Sequence, residues 1–142
     1  MDDELLVGID DYKILDEEHP IGYTRDIHCC IVVLIHREKN TTLMHIETEE
    51  NSIYLDNFME QITPEDDNPI IKVDIFLGKH TSIGNLSIIK FMLHKLGVKY
   101  DVYDVFVNKS NETSVGYNFN TKDYLMARME IGGPVLIKKY LN

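Results

Sequence analysis

The chain has 142 residues, enough for one domain with a real hydrophobic core. Its 44% apolar and 9% aromatic content fits a globular protein and excludes a disordered one. The formal net charge of -10 repels phosphate backbones, so nucleic acid is not an expected partner.

The charge is uneven. Residues 1–70 carry 18 acidic and 4 basic side chains, and residues 71–142 carry 6 and 10. The simple reading of the acidic half is solubility; the sharper one is a face for a basic partner. No apolar run approaches the length of a membrane span, so no membrane insertion is expected. The opening Met1-Asp2-Asp3-Glu4 lacks the basic flank of a signal peptide, so a cytoplasmic location is expected. The only two cysteines, Cys29 and Cys30, are adjacent. Neighbouring Cα atoms about 3.8 Å apart are too close for ordinary disulfide geometry. At least one thiol fits a reducing compartment.

In chain order, Leu5–Ile9 and Tyr12–Leu15 read as short strands, and Asp16–Pro20 as a loop. Ile21–Thr24 leads into the most apolar run, Cys30-Ile31-Val32-Val33-Leu34-Ile35-His36. That run is β-branched and ends in a charged turn, Arg37–Asn40, before Thr41–Ile46. Strand, turn, strand is the natural reading. Ser52–Ile62 has helical spacing, with Asn51 or Ser52 as cap. Thr63–Pro69 is a loop, and Ile70–Leu77 a strand that alternates in its centre. After a turn over Gly78–Gly84, Asn85–Gly97 is the clearest helix, with a stripe of Leu86, Ile89, Leu93 and Leu96 widened by Met92. Gly97 fits a left-handed stop. Val98–Val107, Thr113–Phe119, Tyr124–Met129 and Pro134–Ile137 read as strands. The whole suggests an α+β layered domain, a sheet with two main helices packed on it.

The hairpin carries the chemistry. It places His45 near the level of the cysteines, and a thiol beside an imidazole has the makings of an activated nucleophile. Alternate strand residues share a face, so Cys29 and Cys30 point opposite ways. Cys30 with His45 would suit acyl transfer: attack on an amide carbon, loss of ammonia or amine, then thioester hydrolysis. Thr24 precedes the strand and could orient the imidazole through a hydrogen bond. From spacing alone the simpler account is two cysteines acting as small hydrophobes and a histidine satisfied within a sheet. His28-Cys29-Cys30 lacks metal-ligand spacing, so no metal and no cofactor are expected. His36, His80 and His94 read as lone surface histidines.

On these residues the chain resembles the CheD family, the chemoreceptor glutamine deamidases. Leu6-Val7-Gly8-Ile9-Asp10-Asp11-Tyr12 is similar to the family's opening G-x-G-E-Y strand and turn. A threonine six residues before a cysteine, then a strand and a histidine on its partner, is the family's catalytic arrangement, and falls here on Thr24, Cys30 and His45. Ser82-Ile83-Gly84-Asn85, the helix after it and Leu96-Gly97-Val98 resemble the family's N-I-G element and helix exit. The resemblance covers roughly Leu6 to Arg128. It implies one domain over residues 1–142, a three-layer α/β/β sandwich with mixed sheets and a Cys–His–Thr site. It also implies deamidation of glutamines on receptor cytoplasmic helices and binding of a CheC-like phosphatase.

The family writes Leu-Gly-Ser-Cys at its nucleophile where this chain writes Ile27-His28-Cys29-Cys30. That change motivates two alternatives. One is a catalytically degenerate module that binds a partner protein. The other is a different cysteine hydrolase, such as an N-terminal amidase or thioesterase.

Overall fold

A computed structural model describes residues 4–8, 11–25, 30–47, 52–78, 83–104, 113–130 and 133–138. The elements run β1 (Glu4–Leu6), β2 (Asp11–Leu15), β3 (Ile21–Thr24), β4 (Cys30–Arg37), β5 (Thr41–Glu47), α1 (Ser52–Gln61), β6 (Ile70–Leu77) and α2 (Ile83–Lys95). They continue as β7 (Tyr100–Asp104), β8 (Thr113–Asn118), β9 (Asp123–Glu130) and β10 (Gly133–Lys138). Among the described residues the fold is α+β, with two helices and two mixed sheets.

One sheet has the order β1-β3-β8-β9-β10, the other β2-β5-β4-β6-β7. β1 runs parallel to β3, and β6 parallel to β7; the other pairs are antiparallel. The parallel β6–β7 pair needs a crossover, which α2 supplies.

Every residue of β4 is buried, because the strand is central and covered on both faces. That is why its sequence is a continuous apolar run rather than an alternation. Its side chains nevertheless divide with period two. Cys30, Val32 and Leu34 join Leu43, Phe76, Val115 and Tyr117 between the two sheets. Ile31, Val33 and Ile35 join Phe58 of α1 and Ile89 and Leu93 of α2 on the other face. The molecule is therefore layered as sheet, sheet, helices, and β4 lies in the middle.

Several boundaries differ from the sequence reading. Arg37 is the last residue of β4, not part of an exposed turn, and is buried. Its guanidinium donates to the carbonyls of Gln61, Thr63 and Asn68, closing the end of α1 onto the hairpin. Helix α2 begins at Ile83 and takes in Gly84, which was read as turn. Leu96 falls beyond its end and is exposed, so the buried stripe is carried by Ile89 and Leu93. Gly97 adopts φ 69°, and Gly97 N and Val98 N donate to the carbonyls of His94 and Leu93, the left-handed helix stop that favours glycine. The cap at Asn51 lies outside the described residues.

Candidate functional site

Thr24 ends β3 in one sheet, and His45 lies on β5 in the other. Thr24 Oγ1 is 2.6 Å from His45 Nδ1, and both residues are buried. Thr24 Oγ1 also donates to the Val7 carbonyl at 2.7 Å. Val7 N in turn donates to the Tyr23 carbonyl, which extends the β1–β3 pairing past Leu6 and fixes Val7 beside Thr24. A hydroxyl has one proton to give. With that proton on Val7, the oxygen accepts from His45, which assigns the proton of a neutral imidazole to Nδ1. The lone pair of the ring then belongs to Nε2, the nitrogen a general base would use.

Cys30 opens β4 and is 4% exposed, in the cluster between the sheets. In the β4–β5 ladder Cys30 pairs with Glu47 and Val32 with His45. Directly opposed residues share a face. Cys30, Val32 and His45 therefore all project into the space between the sheets, with His45 diagonal to Cys30. Diagonal positions across such a ladder lie about 7–8 Å apart, less between side chains. Asp11 is the register partner of His45 on the opposite side, across the β2–β5 ladder. The Cys30 carbonyl accepts a hydrogen bond from Gly78 N at 3.0 Å, which ties the start of β4 to the end of β6. His28 and Cys29 lie outside the described residues, as does His80.

The structure corrects the reading of His36 as a surface histidine; it is 6% exposed. The charged turn beside it suggested solvent, but β4 runs on through Arg37 under both neighbouring layers. His36 Nε2 lies 2.7 Å from Asp74 Oδ2, and Nδ1 lies 3.2 Å from Thr41 Oγ1. Tyr124 donates its hydroxyl to the same carboxylate oxygen, and Lys72 Nζ is 3.4 Å from Oδ1. Burial alone would raise Asp74, but the hydrogen bonds from His36 and Tyr124 and the charges of His36 and Lys72 outweigh it, so its pKa is lowered. Burial, then the charge of Asp74, pushes Tyr117 up to about 12. Burial and the hydrogen bond to Asp74 raise Tyr124 as well.

The sequence reading missed this second cluster. The signal was Asp74 itself, a carboxylate inside the strand Ile70–Leu77. Its alternation with Val73 and Ile75 separates two faces of the strand, and the face carrying Asp74 meets the other sheet. His94 is exposed.

Among the described residues, no group of three or more His, Cys, Asp or Glu side chains is placed to hold a metal ion. No described helix is long and apolar enough to cross a membrane. No protein-family model matches the chain, and no curated protein shows significant similarity to it.

Proposed function

We propose that the protein is a cysteine amidohydrolase that deamidates glutamine side chains of a protein substrate, in the manner of the CheD family it resembles. Cys30 is the nucleophile, His45 the base and acid, and Thr24 the residue that orients His45. The observation that carries this reading is the 2.6 Å contact between Thr24 Oγ1 and His45 Nδ1, on a histidine that shares its face with Cys30. The layered α+β fold with two helices and mixed sheets supports it.

In the first half-reaction His45 Nε2 takes the thiol proton as the Cys30 sulfur attacks the glutamine amide carbon. The tetrahedral oxyanion collapses, the C–N bond breaks, and the imidazolium returns the proton to the leaving nitrogen, releasing ammonia. Water, deprotonated by His45, then attacks the thioester and releases glutamate and the thiol. Throughout, Thr24 holds the ring so that Nε2 is the nitrogen that titrates. The oxyanion needs backbone N–H donors; residues 26–29, which precede the nucleophile, lie outside the described residues. The substrates this reading implies are receptor cytoplasmic helices, with a CheC-like phosphatase as a second partner and a cytoplasmic site of action.

One observation favours a second reading, a non-catalytic protein-binding module on the same fold. Cys30 and His45 are only 4% and 1% exposed, and a buried structural thiol is inert.

The test is mass spectrometry of a glutamine-containing receptor-helix peptide incubated with wild type and with Cys30→Ser. A gain of about one mass unit per site in the wild type alone is the expected outcome, since an amide becomes an acid. No gain, with Cys30 no more reactive toward iodoacetamide than an ordinary thiol, would establish the binding module instead.

A further inference from the structure

At the end of β4 opposite Cys30, the two sheets frame a cavity of about 320 Å³. Its walls are Tyr117 and Tyr124 from one sheet and His36, Ile71 and Lys72 from the other, with Lys122 at the β8–β9 turn. The volume sits at the lower end of the range of about 300–1,000 Å³ for small-molecule pockets.

The charge of this lining sets it apart. The chain carries a net charge of -10, yet the cavity is lined by Arg37, Lys72 and Lys122 and by no carboxylate. Asp74 lies behind the wall, fully buried, holding His36, Tyr124 and Lys72 in place. The guanidinium of Arg37 is committed to three carbonyls and lies 3.4 Å from the Glu65 carboxylate. Lys122 is different: it makes no ion pair among the described residues, and its ammonium lies 3.5 Å from the centroid of the Phe119 ring. It also holds a left-handed backbone, φ 62°, at a position where glycine would be easier.

The rest of the lining combines the rings of His36, Tyr117 and Tyr124 with Ile71 and Thr41. Tyr124 donates its hydroxyl hydrogen bond to Asp74, so its donor is already engaged. Tyr117 and Tyr124 meet edge to face at 5.1 Å, and Tyr117 meets the His36 ring at 4.7 Å. Ile71 adds apolar surface to the lining.

We propose that this cavity is a binding site for a small organic anion, a carboxylate with a flat apolar body, whose charge is received by Lys122 and Lys72 and whose body lies against Tyr117, Tyr124 and Ile71. The site is independent of the Thr24–His45 cluster. His36 lies six residue steps along the extended strand from Cys30, roughly 20 Å at 3.3 Å per residue.

The test is calorimetric titration of the full chain with benzoate, with benzamide as its neutral counterpart and with inorganic phosphate. Benzoate is expected to bind at least tenfold more tightly than either. Lys122→Ala should lose about tenfold in benzoate affinity, and Lys122→Arg should keep most of it; both changes are on the surface and spare the fold. Backbone amide shifts should move at Lys72, Lys122 and Tyr124 on benzoate addition. Equal binding of benzamide, or unchanged affinity in Lys122→Ala, would overturn the cationic site. Phosphate binding as tightly as benzoate would overturn the assignment of an apolar body. Shifts confined to the Thr24–His45 end would overturn the location.

Discussion

Thr24 and His45 belong to different sheets, and the 2.6 Å contact between Oγ1 and Nδ1 is the polar tie that joins them at that end of the interlayer space. It fixes a tautomer as well as a position, because the threonine proton is spent on the Val7 carbonyl. An acceptor at Nδ1 is what a base at Nε2 requires.

Replacing Thr24 with valine keeps the shape and removes the acceptor. If the proposed mechanism holds, deamidation is expected to fall roughly ten- to a hundredfold, the cost of a misoriented catalytic group. Thr24→Ser should restore most of the loss. The readout is the initial rate of peptide deamidation, together with the pH profile of Cys30 alkylation, which should shift in Thr24→Val. A profile identical to wild type would mean that Thr24 does not orient the base.

At the other end of the layer, Tyr124→Phe removes a hydrogen bond to a buried carboxylate and should cost about 1.5–3 kcal/mol. Asp74→Asn strips the charge that holds both His36 and Lys72, and should cost about 3–5 kcal/mol. Urea unfolding midpoints would measure both. The two effects should be less than additive, since both changes act on one carboxylate oxygen.

Acid unfolding should report Asp74 directly. Its folded pKa is below the ordinary 3.8, so the folded state holds the ionised form more strongly than the unfolded chain does. The stability it contributes is present above pH 3.8 and is lost as pH falls through the lower folded value. Asp74→Asn should flatten the fall in stability over that acid window, which unfolding curves from neutral pH downward would show.

The alkaline side has the opposite sign. Tyr117 is raised to about 12 and Tyr124 is raised as well, so the folded state favours their neutral forms. Their contribution is complete below pH 10 and is lost as pH rises through the folded values. Ultraviolet titration should find that part of the eight-tyrosine signal stays silent at pH 11 and appears only on unfolding. Tyr117→Phe should leave the early part of that curve unchanged.

Packing between neighbouring strands can be tested at Gly116. A Cβ there would lie 2.8 Å from the Gly22 carbonyl oxygen and 3.0 Å from Tyr23 Cβ, both held by the β3–β8 ladder. Gly116→Ala should therefore destabilise by about 1–3 kcal/mol. Gly22→Ala meets Leu15 Cδ2 at 2.6 Å, the end of a side chain that can rotate, and should cost less. Thermal melts of the two variants would rank them.

Elements whose signals are local were legible in the sequence. The β-branched run before Arg37 and the return at Thr41 made the hairpin legible, and Gly97 marked the end of α2. The sequence also pointed to Thr24, Cys30 and His45 as candidates, because the chain has only two cysteines and spacing along paired strands can be counted from them. Tertiary structure decided which sheet each strand joins. β2 and β3 are consecutive yet lie in different sheets, and no local preference encodes that choice. Layering also decided what alternation means. The alternation in β6 does not say what its Lys72 and Asp74 side meets; a second sheet covers it, so Asp74 becomes a buried carboxylate with His36 and Tyr124 around it. Periodicity reports which residues share a face; only the packing of the layers says whether that face meets water or protein.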